Sequence, residues 1–311
     1  MPVLVVGSIA FDTIETPFGR AEEVLGGAAS YFSLAASLLT PVQLVGVVGA
    51  DMPPEHLDLL ADHGVDLAGL DRIENGKTFR WAGRYEYDLN VRHTLDTQLN
   101  VFADFKPRLP DVWRETECVY LANIMPRLQL DVLDQVHRPK FVGLDSMNFW
   151  MDNPETREDL ARVIERVDAV FMNDAEIRQY TGSYNLFEAA RSILAEGPRV
   201  VLMKKGEHGA VAVSRDGVFV AAAYPLETVK DPTGAGDAFA GGVMGHLAET
   251  GDISWPGIKR AMVFGSVIAS FAVEDFGVNG LLAMRREAIE ERFETLRQCT
   301  AFEALAESPV R

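Results

Sequence analysis

The chain has 311 residues, 48% of them hydrophobic and 24% charged, which is enough apolar material for a sizeable core and excludes a disordered chain. Forty-six acidic residues against 29 basic ones leave a formal charge of −17. No segment gathers Lys and Arg into the basic stripe that a phosphate backbone requires, so nucleic acid and anionic membrane are not expected partners. The two cysteines, Cys118 and Cys299, give no disulfide framework or Cys-rich zinc spacing, and a cytoplasmic location is expected. The N-terminus lacks a basic leader region, and the longest apolar stretch, 261–273, falls short of the roughly 20 residues of a spanning helix.

In chain order, Val3-Leu4-Val5-Val6-Gly7-Ser8-Ile9 is a continuous apolar run closed by small residues, as expected of a strand buried on both faces of a parallel sheet. Similar runs recur at 42–48, 118–122, 141–144, 169–172 and 200–203, with helical periodicity over 154–167 and 186–194 between them. Three further helices are predicted over 235–248, 257–273 and 285–299. Strands alternating with helices imply a doubly wound α/β sheet. One region departs from this rhythm. From Thr78 to Tyr87 the odd positions are Phe79, Trp81, Gly83, Tyr85 and Tyr87, whereas the even ones are mostly polar. That period of two suits either a small separate sheet over a site or an antiparallel edge extension of the main sheet.

The segment richest in chemistry is Asp231-Pro232-Thr233-Gly234-Ala235-Gly236-Asp237-Ala238-Phe239-Ala240-Gly241-Gly242. A glycine-rich turn runs directly into an apolar helix, whose first amides are unpaired and carry partial positive charge, so an anion of phosphate size can approach closely. Asp237 falls early in this helix. It reads either as an N-terminal cap or as a general base that takes a proton from an attacking hydroxyl beside the anion hole.

The segment Asp231–Gly242 resembles the C-terminal signature of the PfkB, or ribokinase-like, family of carbohydrate and nucleoside kinases. Three more matches follow in family order: the pair Gly26-Gly27 before a helix, Asn173-Asp174-Ala175-Glu176 after a mid-chain strand, and the turn Gly206-Glu207-His208-Gly209. The resemblance implies a ribokinase-like three-layer α/β/α sandwich over residues 1–311, with a small inserted β lid from about 10–25 and 76–102. It implies ATP as phosphoryl donor, with Mg2+. Asp237 is then the catalytic base, and Gly234, Ala235 and Gly236 supply the anion hole. Asn173 and Glu176 act near the triphosphate, Glu176 on magnesium through water, while Lys204, Gly206, Gly209 and Thr233 shape the nucleotide site. In many relatives the residue corresponding to Asp231 helps bind a monovalent cation with the loop 273–279, which adds K+ as a further candidate ion.

For the acceptor, the resemblance places Asp12 on substrate hydroxyls at a strand's C-terminal edge, where open α/β sheets bind ligands. Gly26 and Gly27 allow close approach, and Asn123 offers donor and acceptor groups. Tyr31 and Arg80 complete the candidate set, Arg80 with Arg84 on the polar face of the lid. Ala10, Ala28 and Tyr31 replace polar residues usual in ribokinases, and the aromatic residues Tyr31, Phe32, Trp81 and Trp150 make a nucleoside or cyclic polyol an alternative to a plain sugar. An aromatic lid face also leads us to expect a homodimer. Two other functions stay open: a vitamin-kinase-like enzyme, against which the inserted lid counts, and a sugar- or nucleotide-binding protein without turnover. No Walker A, dinucleotide or nucleophile-elbow motif is present, and the six histidines show no zinc spacing.

Overall fold

Val3, Leu4, Val5 and Val6 are all fully buried, as a strand covered by helices on both faces demands. The computed structural model describes residues 1–303. Its strands are β1 (Val3–Val6), β2 (Ala10–Thr16), β3 (Gly19–Gly26), β4 (Val42–Gly49), β5 (Val65–Ile73), β6 (Phe79–Tyr85), β7 (Arg92–Gln98), β8 (Cys118–Leu121), β9 (Phe141–Asp145), β10 (Ala169–Asn173), β11 (Val200–Lys204), β12 (Ala210–Ser214) and β13 (Gly217–Ala221). Nine of them form one sheet in the order β13-β12-β11-β10-β9-β8-β1-β4-β5. It is parallel from β5 to β11, and the hairpin β12–β13 closes one edge antiparallel.

Alternate side chains feed two cores. Val3, Val5, Tyr120 and Phe171 pack with helices Ala28–Ser37, Ala235–Thr250 and Trp255–Ala272 on one face. Leu4, Val6, Leu144 and Met172 pack with Pro126–Leu133, Pro154–Ile164 and Leu186–Glu196 on the other. The result is the expected three-layer α/β/α arrangement, and the predicted central strands and helices appear within one to three residues of their expected limits. The strand order runs outward from β1 in both directions, so the switch point, where open α/β sheets form their ligand crevice, falls at the C-terminal ends of β1 and β8.

The remaining strands form a second sheet, β3-β2-β6-β7. It is therefore separate from the main sheet rather than an extension of it. Because β2 begins only four residues after β1 ends, this sheet stands over the C-terminal edge of the main one. Its strand β2 pairs parallel with β6 and antiparallel with β3, and β6 pairs antiparallel with β7, which is exposed along its length. Among the described residues no helix is long and apolar enough to cross a membrane.

Candidate active site

The helix Ala235–Thr250 starts on Gly234, which lies in the left-handed region at φ 75° and offers no side-chain cap. Only glycine fits there: besides the backbone conformation, a Cβ would stand 2.2–2.4 Å from ring atoms of Tyr31. The Ala235 amide turns back to the Pro232 carbonyl at 3.2 Å and the Asp237 amide meets its own carboxyl, whereas the amides of Gly234 and Gly236 donate to no acceptor among the described residues. Of the three amides that the resemblance assigns to an anion hole, those of Gly234 and Gly236 are uncommitted and that of Ala235 is tied to the turn.

Asp237 accepts no hydrogen bond from another residue among those described. Its carboxyl is pushed up to about 7, first by burial and then by the negative charge of Asp145, with Lys204 and Arg92 pulling the other way. An unpartnered carboxylate with that proton affinity can take a proton near neutral pH.

Lys204, at the end of β11, lies against the same turn: its Nζ is 3.2 Å from where a Cβ of Gly236 would stand. It donates to both oxygens of Asp145, at 2.9 and 2.7 Å, and Asp145 also accepts from the Tyr120 hydroxyl and the Ser146 amide. Sequence reading missed Asp145. The available signal was its place at the C-terminal end of a buried strand, like Asn173, whereas Asp12, expected at such an edge, lies inside β2. At the end of β10, Asn173 Oδ1 accepts from the amides of Ala175 and Glu176, and Glu176 Oε2 accepts from the Asn173 amide at 2.7 Å. This is a complete capping box. Glu176 is buried, and its carboxyl is pushed up to about 7 by burial, opposed by Lys204 and reinforced by Asp145. Gly206 and Gly209 bound the short turn that joins β11 to β12, both at positive φ.

On the acceptor side, Asp12 of β2 is buried and its carboxyl is pushed up to about 7, chiefly by burial. Its Oδ2 accepts from the Gly27 amide at 3.4 Å. Gly26 is needed because a side chain there would occupy the space of the Asp12 carboxylate; its absence seats Asp12 rather than a ligand. Asp231 accepts from the amides of Thr233 (2.8 Å) and Gly277 (3.0 Å), which ties the anion loop to the loop 273–279. Thr233 meets the second sheet, its Oγ1 lying 3.2 Å from the Tyr85 hydroxyl.

Three expected acceptor contacts are placed differently. Tyr31 is buried with its ring under Gly234, and its hydroxyl has no partner among the described residues; it forms the floor of the anion loop. Arg80 is held by Glu23 of β3 and by Asp51 of the loop after β4, both at 2.8 Å, and lies over Phe11, so its guanidinium is committed to contacts within the protein. Asn123 accepts from Trp150 Nε1 at 2.8 Å and directs its amide nitrogen to Met147, so both ends of its amide are taken. The arginine whose charge reaches Asp12, Glu176 and Asp237 is Arg92 of β7, which the sequence reading did not single out. Among the described residues no three His, Cys, Asp or Glu side chains form a metal cage.

A crevice at the switch point of a ribokinase-like sandwich, with a glycine-started helix and a free acid in its first turn, defines a phosphoryl-transfer class of site. The pfkB family carbohydrate kinase model matches residues 3–283, and the chain belongs to that family. It is 31% identical to a cytidine kinase of Thermococcus kodakarensis over 249 residues, 78% of this chain and 87% of that protein. The fold superposes on the nucleoside kinase of Methanocaldococcus jannaschii with a TM-score of 0.76 at 20% identity, covering 94% and 98% of the two chains. It also matches a putative ribokinase II from E. coli solved with ATP and Mg2+, at a TM-score of 0.75 and 21% identity, covering 96% and 99%. The protein is accordingly a carbohydrate or nucleoside kinase of the PfkB family.

Proposed function

We propose that the protein transfers the γ-phosphoryl group of ATP to a hydroxyl of a nucleoside. The observation that carries this reading is the Asp237 carboxylate, which takes no partner from another residue among those described, on a helix start where the amides of Gly234 and Gly236 are also free. In this reaction Asp237 accepts the acceptor's hydroxyl proton while that oxygen forms a bond to the γ-phosphorus. The bond from phosphorus to the β,γ-bridging oxygen breaks, and ADP leaves. The amides of Gly234 and Gly236 hold the charge that develops on the phosphoryl oxygens.

Glu176 keeps its second carboxylate oxygen free of hydrogen bonds among the described residues. One available carboxylate without a protein cage suits magnesium, which is usually held by phosphate oxygens, waters and one or two carboxylates. The chemistry magnesium supplies when bound is neutralisation of triphosphate charge. Asp231 spends both oxygens on joining two loops, so in this reading K+ would settle beside it on loop carbonyls. A rate unchanged when K+ is replaced by choline would remove that part.

A nucleoside is favoured over a free sugar because Asp12, the carboxylate suited to ribose hydroxyls, stands in direct register with Trp81 on the second sheet. An aromatic wall beside a sugar site suits a base, and the cytidine kinase relative points the same way. ADP release measured with cytidine, inosine, adenosine, ribose and fructose tests the reading. Turnover with a nucleoside is expected, preference for a free sugar would overturn the acceptor assignment, and nucleotide binding without turnover would favour a binding protein.

A further inference from the structure

We propose, resting on the kinase reading above, that Arg92 is a catalytic residue that the second sheet delivers to the transferring phosphoryl group. Arg92 is the direct cross-strand partner of Tyr85, and residues directly opposite in an antiparallel pair project from the same face. That face is turned to the anion loop, because Tyr85 is buried there with its hydroxyl 3.2 Å from Thr233 Oγ1. Trp81 shares the face. Its ring occupies the space left by the missing side chain of Gly83, its Nε1 donates to Thr94, and the Arg92 guanidinium carbon lies 5.6 Å from the ring centroid. The indole thus braces the arginine. Two residues earlier, Asn90 lies against Gly206 of the β11–β12 turn, so the hairpin carrying Arg92 reaches across the crevice to the nucleotide side.

Charge supplies the second argument. The crevice gathers Asp12, Asp145, Glu176, Asp231 and Asp237, and its partly buried cation Lys204 is spent on Asp145. An incoming triphosphate therefore needs a cation that is not already paired. Arg80, on the opposite face of the second sheet, has two carboxylate partners, whereas Arg92 has none among the described residues. Its planar fork matches two phosphoryl oxygens at once. Its charge already favours the ionised forms of Asp12, Glu176 and Asp237.

The test compares the full-length wild type with Arg92→Gln and Arg92→Lys. With the best nucleoside from the panel, Arg92→Gln should lower kcat by at least about 100-fold and Arg92→Lys by about tenfold, with the nucleoside KM little changed. Calorimetry with Mg·ADP plus aluminium fluoride, a mimic of the phosphoryl group in transfer, should show a comparable loss of affinity in Arg92→Gln, and Mg·ADP alone should bind as before. Because Arg92 is exposed, both variants should melt with the wild type. A kcat for Arg92→Gln within about threefold of wild type, or a loss confined to the nucleoside KM, overturns the assignment and leaves the kinase reading standing. A wild type that turns over no member of the panel overturns both.

Discussion

Two helices begin at the C-terminal edge of the main sheet, Asp174–Thr181 and Ala235–Thr250, and each carries an acid at its third position, Glu176 and Asp237 respectively. Both carboxyls are pushed up to about 7, in each case first by burial. What separates them is the residue before the helix. Asn173 caps its own helix through a side chain, and Glu176 folds back to close the reciprocal bond. Gly234 has no side chain to give, so nothing recruits Asp237 into a cap. The same placement of an acid therefore yields a carboxylate engaged in a cap at one helix and one outside any cap at the other.

The largest effect that would break this contrast is expected at Asp237. Asp237→Asn should lower kcat by about 10^2–10^4-fold if the carboxylate is the base, and undiminished turnover would remove it from the mechanism. The wild-type kcat/KM should rise with pH through about 7, because the base works only when deprotonated. Stability should move the opposite way. The folded-state proton affinity lies above the unfolded value of 3.8, so this group's contribution is fully present below about pH 4 and is lost as pH rises through about 7. At pH 8 the ionised, largely desolvated carboxylate costs on the order of 2–4 kcal/mol, and Asp237→Asn should therefore melt higher than wild type even as it loses activity. A variant that is inactive and also melts lower would mean that Asp237 holds the helix start together, as Glu176 does.

Next in size is Gly234→Ala. The left-handed backbone and the Tyr31 ring both oppose a side chain, and a destabilisation of about 2–4 kcal/mol is expected, with a loss of turnover that Asn173 variants should not share. Wild-type behaviour would mean that the glycine start is not what exposes the amides.

The contrast also marks how far the sequence could be read. The central strands, the order of the motifs and the glycine start of Ala235–Thr250 were legible because each depends on local chemistry: apolar runs, turn glycines, an acid near a helix start. Asp145 and Arg92 were not, since their roles arise from long-range placement. Lys204, 59 positions later in the chain, joins Asp145 to the anion turn, and the pairing of β6 with β7 sets Arg92 opposite Tyr85. Arg80 was misread for the converse reason. The alternation put it correctly on the polar face of its strand, but Glu23 and Asp51, from β3 and the loop after β4, claim it there. Tyr31 illustrates the same limit, because nothing local reveals that its ring lies under a glycine about 200 positions away.

At Glu176 the comparison can be sharpened without disturbing the fold. Glutamine still completes a capping box, so Glu176→Gln should melt within a few degrees of wild type. If the second carboxylate oxygen also serves magnesium, the half-saturating Mg2+ concentration should rise about tenfold. Unchanged magnesium dependence would confine Glu176 to the cap.

The smallest effects belong to Asn173, where two substitutions divide cap from ligand. Asn173→Ala removes the acceptor of two backbone amides and should cost about 1 kcal/mol, read as a lower melting temperature with kcat changed by less than about threefold. Asn173→Asp keeps a good cap and should hold stability near wild type, but it adds a negative charge at the end of β10, on the same strand edge as Lys204. If the triphosphate passes over that edge, the KM for ATP should rise several-fold in the Asp variant and not in the Ala variant. Equal KM values in all three proteins would mean that Asn173 never meets the nucleotide, leaving the Asn-x-x-Glu element a helix cap alone and the nucleotide side of the crevice to Lys204, the Gly206–Gly209 turn and the glycine-started helix.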